Sequence, residues 1–128
     1  MSRWVLDASA ILAFLNKEPG TEKVARILSE GAVVSTVNHS EVIAKLIEAG
    51  VPEAKVSVIL GYLNYTVINF DEHSAWEAAR LRRLTKTAGL SLGDRACLGL
   101  ALQLNLPVAT ADRVWEKLSL KLQIEIVR

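Results

Sequence analysis

Trp4-Val5-Leu6-Asp7-Ala8-Ser9-Ala10 is the stretch that sets the architecture. Three apolar residues run into a carboxylate, and small residues that open a helix follow. Such a run reads as the first strand of an α/β sheet buried on both faces. In open parallel sheets, ligands sit outside the carboxyl ends of the strands. Asp7 is therefore either a helix cap or part of a site, and the rest of the chain decides which.

Strand and helix patterns alternate from there. Ala10–Leu15 reads as a short apolar helix stopped by Pro19-Gly20, and Thr21 caps a second over 22–29. Ala32-Val33-Val34-Ser35-Thr36 is a β-branched strand, after which Asn38-His39-Ser40-Glu41 opens a helix carrying Val42, Ile43, Leu46 and Ile47. A further helix spans Glu53–Leu63, and 65–70 is a third strand. Asp71 caps a long helix through Ala75, Trp76, Ala79, Leu81 and Leu84. Leu90–Asp94 turns into a helix over 95–104, 107–110 is a fourth strand, Asp112 precedes a short helix, and 124–127 is a last strand. The alternation predicts one α/β domain over residues 1–128, with a mostly parallel, twisted central sheet and helices on both faces.

Composition narrows the class. A chain of 128 residues with 51% hydrophobic and 23% charged residues reads as one globular domain. No apolar stretch is long enough to span a bilayer, and an acid at Asp7 interrupts any signal-peptide core, so no membrane association is expected. One cysteine excludes an internal disulfide and suits the cytoplasm. A net charge of +1 gives no whole-chain basic signature, although a local basic face remains open. Two histidines and one cysteine are too few for a structural zinc site, so any metal would be held mainly by carboxylates.

Four acids fall at helix starts that a parallel sheet places on one rim: Asp7, Glu41, Asp94 and Asp112. Each has a plain explanation. Asn38-x-x-Glu41 and Ser91-x-x-Asp94 read as capping boxes, and Asp7 and Asp112 as N-caps. Their convergence asks for more. Two unit charges about 5 Å apart at an effective dielectric near 20 repel by roughly 3 kcal/mol. A hard cation such as Mg²⁺ or Mn²⁺ removes that repulsion, and it is able to activate water against a phosphodiester.

These motifs resemble the PIN-domain nucleases, and most closely the VapC-like toxins of bacterial toxin–antitoxin pairs. Val5–Ala10 is similar to the opening strand, Val37–Val42 to the second acidic motif, Leu90–Leu98 to the third, and Ala109-Thr110-Ala111-Asp112-Arg113 to the last. The resemblance covers essentially the whole chain. It implies a Mg²⁺- or Mn²⁺-dependent endoribonuclease with Asp7, Glu41, Asp94 and Asp112 as catalytic, metal-binding acids and Ser9 and Thr110 supporting them. It also implies an RNA substrate, a homodimer, and a small antitoxin whose C-terminal segment enters the cleft. A housekeeping RNA-processing nuclease without an antitoxin is the nearest alternative. A phospho-accepting signalling domain would want a second acid beside Asp7 and a Lys after the fourth strand, and a phosphatase of the Asp-x-Asp type has Ser9 in the second acid's place.

Other residues have two readings each. Arg80, Arg82, Arg83 and Lys86 form a basic run that reads mostly as a solvated face, or as a phosphate-contacting rim. Arg95 and Arg113, each next to an acid, are candidates for substrate phosphate or for structural ion pairs. His39 reads as an ordinary residue of its helix, and Cys97 as a buried small hydrophobe. Trp76 and Trp115 occupy apolar helical positions and are expected in the core rather than stacking bases. The apolar helix 53–63 is expected to contribute to a dimer or antitoxin surface.

Overall fold

A computed structural model describes residues 2–128. Five strands, β1 (Trp4–Leu6), β2 (Ala32–Ser35), β3 (Thr66–Ile68), β4 (Val108–Thr110) and β5 (Ile124–Ile126), form one sheet in the order β3-β2-β1-β4-β5. Every pairing is parallel. Six helices cover it: α1 (Ala8–Leu15), α2 (Thr21–Glu30), α3 (Thr36–Glu48), α4 (Glu53–Leu63), α5 (Glu72–Thr85) and α6 (Leu92–Leu104).

Side chains of the central strands alternate between two cores, as the two-residue period of a strand requires. Leu6, Val34 and Ala109 face Ile11, Val24, Ile27 and Val42 of α1, α2 and α3. Val5, Val33 and Val108 face Leu81 of α5, Cys97 and Leu98 of α6, and Trp115. Both faces of the sheet are thus buried, which is why these strands read as continuous apolar runs. Cys97 and Trp115 are wholly buried, as their apolar neighbours predict.

Strand order reverses at β1. The chain builds outward to β2 and β3, then crosses back to add β4 on the other side of β1. The crevice between the carboxyl ends of β1 and β4 is the topological switch point, the place where open α/β sheets bind ligands.

Four expectations need correction. Helix α3 begins at Thr36, capped by Ser35, whose Oγ accepts from the Val37 amide at 3.2 Å. Asn38 and Glu41 therefore lie inside the helix and form no capping box. Trp76 is 59% exposed, not in the core. Helix α5 packs on α6 through small residues, with Ala78 beside Gly99, and turns its indole outward. The segment after Asp112 is a 3₁₀ turn, Arg113–Lys117, and not an α-helix. Thr21 is the first residue of α2 and not its cap, which is Gly20, and its Oγ1 donates to the Glu18 carbonyl at 2.6 Å.

Candidate active site

Each acid reaches the rim for a local reason. Asp7 ends β1 and caps α1, its Oδ1 accepting from the Ala10 amide at 2.9 Å. Asp94 is the third residue of α6. Its Oδ2 accepts from the Ser91 amide at 2.9 Å while its own amide donates to Ser91 Oγ at 3.2 Å, a complete capping box. Asp112 follows β4 and caps the 3₁₀ turn through the Val114 amide at 3.0 Å. Glu41 projects from the second turn of α3.

All four line one cavity of about 210 Å³, together with Ser9, Asn38 and Lys45. Their fields also overlap at Cys97. Burial pushes that thiol well above its ordinary range, and the charges of Asp7, Asp94 and Glu41 push it further. Capping and convergence therefore hold together, and the caps are what fix three of the acids in place.

Asp7 is 3% exposed and carries the most constrained carboxylate of the four. Ser9 Oγ donates to it at 2.9 Å, and Thr110 Oγ1 donates to its Oδ2 at 2.5 Å. The two hydroxyls lie 3.1 Å apart. They also accept from the chain beyond β4, Ser9 Oγ from the Ala111 amide at 2.9 Å and Thr110 Oγ1 from the Asp112 amide at 3.0 Å. One hydroxyl pair thus ties β1 to the turn that presents Asp112. Burial raises the Asp7 pKa to about 6, against the hydrogen bonds of Thr110, Ala10 and Ser9, with the Asp94 charge adding a further rise.

Asn38 is 1% exposed and works between two elements. Its Nδ2 donates to Glu41 Oε1 at 2.9 Å and to the Gly93 carbonyl at 3.0 Å. Gly93 is small by necessity. A Cβ there would stand 2.6 to 2.8 Å from the Glu41 carboxyl atoms, too close to coexist.

Two further positions were visible in the sequence but carried no assigned role. Lys45 lies one turn beyond Glu41 and, among the described residues, is the sole cation lining the cavity. Gly93 sits inside the Ser-Leu-Gly-Asp motif, and the space its missing side chain leaves is taken by Glu41 from another helix. Two others leave the site. Arg95 donates from Nη1 to the Ala78 carbonyl at 2.9 Å, and Arg113 contacts Glu116 and the Arg128 carbonyl. Neither lines the cavity.

The donor set fits a hard divalent cation. Carboxylate oxygens predominate, and the buried Oδ1 of Asn38 on the cavity wall has no partner, which suits a bound water. Among the described residues no group of three or more His, Cys, Asp or Glu side chains stands close enough to hold a metal ion together. That is compatible with an ion such as Mg²⁺, which takes one or two carboxylates and keeps several waters.

A second cavity, about 430 Å³, opens at the β3 edge of the sheet between α3, α4 and β3. Ile43, Ile47, Val56, Leu60 and Val67 give it apolar walls, and His39 Nδ1 meets Tyr65 Oη at 2.8 Å on its border. Burial lowers the His39 pKa and pushes Tyr65 up to about 12.

Among the described residues no helix is long and apolar enough to cross a membrane. No curated protein sequence matches the chain. Its fold does have close counterparts. DNA-bound VapBC from Salmonella typhimurium superposes with a TM-score of 0.75 at 22% identity, covering 98% of each chain. VapBC2 from Rickettsia felis, bound to a promoter DNA fragment, gives 0.73 at 16%, covering 95% of this chain and 96% of that one. VapBC-5 from Mycobacterium tuberculosis gives 0.59 at 20%, covering 100% and 99%. The PIN domain family model matches residues 4–121, which includes all four acids and the whole switch point. The chain belongs to the PIN domain family.

Proposed function

We propose that this protein is a metal-dependent endoribonuclease and the toxin of a toxin–antitoxin pair. The observation that carries the reading is the single cavity at the switch point lined by Asp7, Glu41, Asp94 and Asp112. Membership of the PIN family and the likeness of the fold to VapBC assemblies support it.

In this reading the carboxylates of Asp7, Glu41, Asp94 and Asp112 would hold Mg²⁺ or Mn²⁺, one or two of them directly and the others through waters. When bound, the cation polarises the scissile phosphate and lowers the pKa of a water. The chain's own groups do the rest. Ser9 and Thr110 orient the Asp7 carboxylate and favour its charged form. Asn38 steers the Glu41 carboxylate toward the cavity from a fixed position against α6. Lys45 supplies the one positive side chain beside the phosphate and offsets the acids' repulsion of a polyanion. Arg95 serves packing of α6 on α5 rather than substrate.

The antitoxin occupies the apolar groove between α3 and α4 and extends toward the acid cleft. Val58 and Tyr62, 58% and 85% exposed on α4 outside the groove, add to a docking or dimer surface on that helix. A homodimer in the cytoplasm completes the reading.

The test is to map new 5′ ends in total RNA treated with purified protein, with Mg²⁺ and with EDTA, beside Asp94→Asn. Discrete metal-dependent ends, reduced about a hundredfold or more in the variant, support the nuclease. Protein denatured and refolded free of any copurified inhibitor, and still making no ends, overturns it.

A further inference from the structure

Helix α5 carries an exposed row that neither the fold nor the acid cavity uses. Trp76 is 59% and Leu84 64% exposed, and both share a face with Arg80 and Arg83. The Arg80 guanidinium lies 5.8 Å from the Trp76 ring centroid and pairs with Glu77 at 2.8 Å. Arg80, Arg83 and Leu84 line one shallow depression, and Leu84 also borders a second with Thr87 and Lys117. The row therefore runs from Trp76 to Lys117 without a break.

Its charge is one-sided. Between Trp76 and Thr87 stand Arg80, Arg82, Arg83 and Lys86 against Glu77 alone, in a chain whose net charge is only +1. Among the described residues, Arg82, Arg83 and Lys86 form no ion pair. An exposed indole with a cation over it, continuing into unpaired cations, is the combination that holds single-stranded nucleic acid. The ring stacks an unpaired base and the cations take the flanking phosphates.

We infer that this face of α5 binds single-stranded RNA, with a base stacked on Trp76 and phosphates on Arg83 and its neighbours. The choice of RNA rests on the ribonuclease reading. A second copy of the chain fits the face poorly, because a two-fold interface would set the cationic row against itself. Duplex RNA fits poorly as well, since its bases are not free to stack on a side chain.

The experiment measures anisotropy of a fluorescein-labelled 20-nucleotide RNA of mixed sequence, as single strand and as duplex. EDTA keeps the RNA intact, and salt is varied from 50 to 200 mM. Trp76→Ala is expected to weaken single-strand binding about tenfold, and Trp76→Phe to retain most of it. Arg83→Gln is expected to weaken binding and to reduce the slope of log affinity against log salt by about 0.7. Wild-type affinity in both Trp76→Ala and Arg83→Gln overturns the proposal. So does equal binding of duplex and single strand. Unchanged RNA binding with a shift in sedimentation assigns the face to a second copy instead. The two readings fail separately: a protein that binds RNA through Trp76 and Arg83 but cleaves none with Mg²⁺ loses the nuclease and keeps this surface. One that cleaves RNA without dependence on either residue loses only the surface.

Discussion

The Glu41 carboxylate fills the space a side chain on Gly93 would need, with its atoms 2.6 to 2.8 Å from the position of the missing Cβ. Gly93→Ala therefore sets helix preference against the site. Alanine favours the first turn of α6 by up to about 1 kcal/mol, and the intruder is the flexible end of a side chain that is free to swing aside. The variant is expected to melt no lower than the parent while cleaving RNA at least about tenfold more slowly. Paired thermal melts and cleavage rates read both halves. Full activity in Gly93→Ala would show that Glu41 is not needed where the structure places it.

Burial makes the charged form of Asp7 costly in metal-free protein. Its folded pKa near 6 exceeds the ordinary value of 3.8, so the folded state binds the extra proton between those values. The contribution of Asp7 to stability is then fully present below about pH 4 and is lost as pH rises through 6. Two pKa units correspond to about 3 kcal/mol. Melts in EDTA should show this decline, and Asp7→Asn should flatten it. A parent protein that is equally stable at pH 4.5 and 7.5 would contradict the placement of Asp7.

Thr110 serves two partners at once and is fully buried. Thr110→Val keeps the shape, removes a donor from Asp7, and leaves the Asp112 amide without its acceptor. A loss of about 1–3 kcal/mol is expected. With one charge-stabilising hydrogen bond gone, the Asp7 pKa rises, and the acidic limb of the cleavage profile should move to higher pH. A loss of stability with an unmoved profile would confine Thr110 to a structural role.

Lys45 is exposed and makes no ion pair among the described residues, so its removal should leave the fold alone. Lys45→Gln is expected to raise KM for RNA several-fold with an unchanged melting temperature. Steeper salt dependence in the parent than in the variant would mark the lost phosphate contact. An unaltered KM would remove Lys45 from the substrate path.

Much of this was legible in the residues themselves. Doubly buried strands announce themselves as unbroken apolar runs, and carboxylates at the ends of β1 and β4 follow from the alternation of strand and helix. What escaped depends on exact boundaries. Ser35, Thr36 and Asn38 are all able to cap, and only tertiary packing selects Ser35. That three-residue difference moves Asn38 from cap to bridge between Glu41 and Gly93. Trp76 escaped for a different reason. Its apolar spacing suited the core, but the inner face of α5 is Ala78, Leu81 and Thr85, with Thr85 satisfied by donating to the Leu81 carbonyl at 2.8 Å. Small residues bring α5 close to α6, and no room is left there for an indole.

The place of β1 in the sheet has a consequence for how the protein is made. Its two neighbours lie far apart in the chain, β2 within about thirty residues of it and β4 about a hundred residues away. Throughout synthesis β1 keeps one edge open, and the fourth acid does not exist until residue 112 of 128 has been added. A chain that stops before residue 112 lacks the fourth carboxylate. The cleft therefore closes only when the late strand β4 joins the early strand β1.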